Sequence, residues 1–88
     1  MTQPSWKVFY WDFFGPHAEG TARHFKVHLD EFLTRERLEG CQAGTSSEGA
    51  NHYAAWCKAP QALEKLIQQA LRPKRVLEVE GDEEAMDV

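Results

Sequence analysis

His17, His24, His28 and Glu31 stand at successive offsets of seven, four and three residues. On one continuous helix, turning about 100° per residue, they fall within about 80° of arc, a stripe flanking the apolar face. His24 and His28, at i and i+4, can share a metal ion, with Glu31 as a third ligand and an open position left for water. The pattern stops short of a zinc signature. Residues 24–28 read His-Phe-Lys-Val-His, without the Glu of a His-Glu-x-x-His motif, and no cysteine joins them. First-row metals prefer three or four convergent ligands, so no metal site and no cofactor is assigned. His24, His28 and Glu31 remain the metal candidates, and His17 leaves the stripe if the helix begins at Thr21.

A second group with acid–base potential is His52, with Asp12 or Glu78 to orient it and Tyr10 as a hydrogen-bond donor. No nucleophile or oxyanion arrangement accompanies them, so no catalytic site is assigned. His52, Tyr10 and Asp12 are the catalytic candidates, and a polar rim around an aromatic surface is the favoured reading. The stretch Gly15-Pro-His-Ala-Glu-Gly-Thr21 echoes a phosphate-binding loop. It lacks the lysine that should precede the threonine, Pro16 removes a backbone donor, and Glu19 repels an anion. It reads as a strand-to-helix turn. Cys41 and Cys57 make no Cys-x-x-Cys motif. A hairpin pairing 43 with 55 would set them opposite each other on the core side, where cysteine behaves as a small apolar residue.

The elements that must position these groups follow from periodicity and punctuation. Residues 5–14 hold Trp6, Phe9, Tyr10, Trp11, Phe13 and Phe14 and end at Gly15-Pro16, a strand buried on both faces. Ala18, Ala22, Phe25, Leu29, Phe32 and Leu33 share one helical arc, and the helical spacing runs to Leu38 before Gly40. Either Pro16 opens this helix or Thr21 caps it. Residues 41–46 and 51–58 flank the polar turn Ser47-Glu-Gly-Ala50 as a hairpin whose weaker first arm belongs at an edge. Pro60 opens a second helix carrying Leu63, Leu66, Ile67, Ala70 and Leu71, Pro73 closes it, and residues 74–80 form a last strand. Residues 81–88 hold four acids and read as a solvated, disordered tail after a single domain at 1–80.

The order β-α-β-β-α-β predicts an α+β protein, and it resembles the ferredoxin-like fold, a four-stranded antiparallel sheet with two helices on one face. The resemblance is one of element order, and many unrelated functions use this fold.

Composition narrows the partners. The 88 residues carry 14 acidic and 10 basic side chains, a net charge of −4, with the basic residues scattered. Phosphate backbones need several clustered Lys or Arg, so no nucleic-acid partner is expected. No apolar run approaches the ~18 residues of a membrane span, and the N-terminus lacks a signal-peptide pattern. A cytoplasmic protein with free thiols and no membrane partner is the expectation.

Alternation along the strands then divides the aromatics. Phe9, Trp11 and Phe13 are the better core set, and Trp6, Val8, Tyr10 and Asp12 point the other way. With Trp56 and Val76 from the later strands, the helix-free face presents Trp6, Val8, Tyr10, Trp56 and Val76, bordered by His52, Asp12, Glu78 and Gln42, while Leu77 and Val79 go to the core. An apolar patch of that kind on a small domain marks an interaction site. The segment 51–58 lacks the Gly and basic residues of an RNA-recognition motif, which leaves a homodimer or a docked protein partner. A dimeric α+β-barrel enzyme or small-ligand binder, with a pocket between the sheets, is the alternative.

Overall fold

The computed structural model describes residues 5–80; the acidic segment 81–88, expected as a disordered tail, lies outside the described residues. The element order is β1 (Ser5–Phe14), α1 (Ala18–Arg35), β2 (Gln42–Gly49), β3 (His52–Pro60), a 3₁₀ turn (Gln61–Leu63), α2 (Glu64–Leu71) and β4 (Arg75–Glu80). The protein is α+β. Its four strands form one sheet in the order β2-β3-β1-β4, with every neighbouring pair antiparallel. The aromatic strand β1 and its partner β3 therefore occupy the centre, and the Gly- and Ser-rich β2 lies at an edge.

The aromatic residues of β1 set the core. Phe9 and Trp11 are buried together with Ala55, Cys57 and Ala59 of β3, Leu29 of α1 and Ile67 of α2. Both helices thus share one core with the odd-numbered side of β1. Trp11 joins the two layers twice. Its ring lies 5.0 Å from that of Phe25 on α1, and its indole N–H donates to the Leu71 carbonyl at 2.8 Å. That carbonyl ends α2 without an intrahelical partner, so a sheet residue satisfies the end of an eight-residue helix.

α1 starts between the two expected points. Ala18 N–H donates to Gly15 O at 3.1 Å, closing a turn that contains Pro16, and the helix runs from Ala18. Thr21 lies inside the helix, and its hydroxyl bonds back to the His17 carbonyl at 3.0 Å instead of capping forward. The apolar arc falls as its spacing predicts: Ala18, Ala22, Leu29 and Phe32 are buried, and Phe25 and Leu33 pack on the core.

The end of α1 comes earlier than the periodicity indicates. Arg37 N–H donates to Thr34 O at 3.1 Å and Leu38 N–H to Leu33 O at 3.0 Å, the paired bonds of a Schellman motif. Arg37, at φ 56°, occupies the left-handed position that glycine usually fills. Gly40 is also left-handed but lies further on, in the link to β2.

Three expectations change in the second half. The hairpin turn is shorter than expected: β2 extends to Gly49 and only Ala50 and Asn51 separate it from β3. Its register pairs Ala43 with Cys57 and Thr45 with Ala55, so Cys57 faces Ala43 rather than Cys41. Both thiols are free, and burial raises both, Cys57 to about 12. Pro60 ends β3 rather than opening α2, which is preceded by the 3₁₀ turn.

Candidate interaction surface

With Phe9 and Trp11 turned to the helices, alternation turns Trp6, Val8, Tyr10, Asp12 and Phe14 to the opposite face. The strand register assigns their neighbours. Gly44, Trp56, Tyr10 and Arg75 form one row across all four strands, and Gln42, Lys58, Val8 and Leu77 form another. Pro60, Trp6 and Val79 make a third row, and Phe14 pairs with His52 at the far end.

This register corrects the expectation for β4. Val76 pairs with Phe9 and packs against the core, so it does not lie on the helix-free face. Leu77 pairs with Val8 and Val79 with Trp6, which puts both on that face, and Leu77 is 49% exposed. Glu78 changes sides with Val76: it pairs with Lys7, whose ammonium lies 3.8 Å from Glu78 and 3.7 Å from Glu64 on α2. In Val-Leu-Glu-Val, one parity sets Leu77 and Val79 inward and the other sets Val76 and Glu78 inward, so hydropathy favours the parity the sheet does not adopt. The pairing partner chooses.

Trp56 owes its pose to a missing side chain. A Cβ built on Gly44 would stand 2.5 Å from Trp56 Cζ2, so the indole lies across the β2 backbone where only glycine admits it. Beside it, the Arg75 guanidinium sits 4.3 Å from the Tyr10 ring centre, and the Lys58 ammonium 5.3 Å from the Trp6 ring. Each cation thus covers an aromatic face while keeping its charge at the surface. Trp6, Val8, Tyr10, Trp56 and Val79 are half-buried within the monomer, and Phe14 is 72% exposed.

Asp12 organises the polar end of the surface. It accepts two hydrogen bonds from Arg75, Nη2 to Oδ1 at 2.8 Å and Nε to Oδ2 at 3.0 Å, the fork geometry that favours arginine. Its Oδ1 also lies 2.9 Å from His52 Nε2. Hydrogen bonds from Arg75 hold the Asp12 carboxyl below the usual carboxylate range, burial opposes them, and His52 adds to the lowering. The same contact raises Arg75. Glu48, at 3.9 Å from Arg75 Nη2, brings β2 into the network. The His52 ring stacks on Phe14 with centroids 4.2 Å apart.

Of the catalytic candidates, the structure brings His52 and Asp12 together, and Tyr10 reaches them only through Arg75. Asp12 partners His52 as expected from the sequence, but Arg75 takes both carboxylate oxygens and is absent from that expectation. Its signal was faint, since Arg75 lies 63 residues away and is named only by the register of β4.

The metal candidates lie on α1, away from this surface. His24 Nε2 and His28 Nε2 are 3.1 Å apart, and Glu31 Oε1 approaches the other nitrogen of His28, Nδ1, at 3.3 Å. Glu31 is thus behind His28 and not beside the two facing nitrogens. Among the described residues, no group of three or more His, Cys, Asp or Glu converges as a metal cage. A shallow groove of about 460 Å³ runs along the end of α1, lined by Leu33, Thr34, Leu38 and Cys41 among others, and touches neither His pair nor sheet surface. No helix of the described chain is long and apolar enough to cross a membrane. Comparison with protein-family models, with curated proteins and with solved structures finds no match for this chain, so the reading of its function rests on the sheet surface itself.

Proposed function

We propose that this protein is an interaction module that pairs with a second copy of itself through the helix-free face of its sheet. The carrying observation is the row Gly44–Trp56–Tyr10–Arg75, flanked by Val8, Trp6, Leu77 and Val79. Core packing under the helices is supplied by the other parity, so these apolar groups are surplus to the fold. Aromatic and Arg side chains are the ones that dominate binding at interface centres.

The dimensions favour a second copy. Four strands about 4.8 Å apart, six to ten residues long, give a face of about 19 Å by 20–33 Å, or about 400–600 Å² in projection. Side-chain relief brings the accessible area toward the ~800 Å² per partner of a stable interface. The charges are mixed: Lys58 and Arg75 stand on the same face as Asp12 and Glu48. A two-fold contact can therefore set a cation of one copy over an aromatic or carboxylate of the other. The element order and the strand order β2-β3-β1-β4 support the ferredoxin-like reading of the fold, in which sheet-to-sheet pairing is geometrically open.

Trp56→Asp tests it. The variant is expected to keep the circular dichroism of the wild type and to elute at monomer mass in light scattering, while the wild type elutes as a dimer. A wild type at monomer mass across the accessible concentration range refutes the proposal. A second reading, a ligand binder with its pocket between paired sheets, is favoured by one observation, the 2.9 Å His52–Asp12 contact that fixes an imidazole on the face. Native mass spectrometry should then show a dimer with a retained small molecule, and a ligand-free dimer argues for the first reading.

A further inference from the structure

The structure points to a second, independent site: we infer that His24 and His28 form a two-imidazole chelate on α1 for a borderline divalent cation of the Zn(II), Ni(II) or Cu(II) class. Nitrogens bound at about 2.0–2.1 Å to one ion, at angles of about 90–110°, lie about 2.9–3.4 Å apart. The two Nε2 atoms are 3.1 Å apart, with the rings at 90° to each other and 4.6 Å between centroids. Helical spacing of i and i+4 supplies that distance without bending the backbone.

Glu31 takes a different part from that of a ligand. Its carboxylate only accepts, so the 3.3 Å contact puts the proton of His28 on Nδ1 and leaves a lone pair on Nε2. Carboxylate behind imidazole is the outer arrangement that fixes a metal-binding tautomer and raises ligand basicity. In the metal-free pair, His24 Nε2 carries the hydrogen that faces that lone pair. On binding, His24 takes its proton at Nδ1, the ring turns, and both Nε2 lone pairs meet the ion. The ion is held by two neutral imidazoles. Water fills the remaining positions, because no third side chain converges among the described residues. The site is therefore an exchangeable surface chelate and not a structural zinc cage, and a soft thiolate-preferring ion is not its occupant.

Isothermal titration of the untagged full chain with NiCl2, in a buffer that does not chelate, reads this directly. One ion per chain is expected, with affinity at least tenfold weaker in His24→Ala and in His28→Ala. Glu31→Gln should weaken binding by about tenfold, the usual scale for loss of an outer-shell partner. Thermal unfolding by circular dichroism supplies a second readout: nickel should raise the midpoint of the wild type and leave that of His28→Ala unmoved, and both proteins should have the same helicity without metal. Cys41→Ser should bind as the wild type does. Equal affinity in wild type and His28→Ala, no saturable binding to the wild type, or loss of binding in Cys41→Ser instead, overturns the inference.

Discussion

Asp12 is the residue on which the polar part of the sheet surface turns. Its carboxyl is depressed in the folded protein, chiefly by hydrogen bonds from Arg75, so the stability it contributes is fully present above the unfolded value of about 3.9 and is lost as pH falls through the folded one. Asp12→Asn should therefore cost about 1–2 kcal/mol in urea unfolding at neutral pH. The deficit should narrow as the pH drops below about 4, where the wild type loses the same interaction. A deficit that stays constant into acid contradicts this assignment. Gly44 makes a complementary prediction for the apolar part. Gly44→Ala forces Cβ into the Trp56 ring, and the overpacking should destabilise by about 1–3 kcal/mol and shift the tryptophan fluorescence. Unchanged stability and emission would mean that the indole does not lie across β2.

At the scale of elements, β4 gives the sharpest test, because its register reverses what hydropathy offered. Val76 packs on the core and Leu77 faces away. Val76→Asp should unfold the protein or cost several kcal/mol, since it leaves an unpaired charge in the core. At a protein concentration low enough for the wild type to be monomeric, Leu77→Asp should change urea-unfolding stability by less than about 1 kcal/mol. The reverse order would restore the parity expected from the sequence. The contrast shows what could be read in advance. β1 was legible because its aromatics are numerous and Gly15-Pro16 stops them. α1 was legible in its body, because Ala22, Phe25, Leu29 and Leu33 repeat at helical spacing. Its end was not, because Arg37 fills the left-handed position where Gly40 advertised itself. The registers of β2 and β4 escaped for a physical reason: pairing is set by long-range contacts such as Phe9 with Val76, to which no local pattern points. The same limit hid Arg75 from the Asp12–His52 pair.

Across the whole molecule, the sheet has two working sides. One side, Phe9 and Trp11 with both helices, makes the fold; the other, Trp6, Tyr10 and Trp56 with Leu77 and Val79, is proposed to make the pairing surface. The outer side of α1 is independent of both, so the proposed nickel chelate and the proposed sheet pairing should be separable by mutation. Sedimentation velocity of the full chain over a wide concentration series tests the pairing directly. Wild type and Val27→Asp, a control at an exposed apolar residue of α1, are run beside Leu77→Asp. A dimer whose population rises with concentration is expected in the wild type and in Val27→Asp, and monomer throughout for Leu77→Asp. Monomer at every concentration in all three, or a dimer that survives Leu77→Asp and is lost in Val27→Asp, would contradict that pairing.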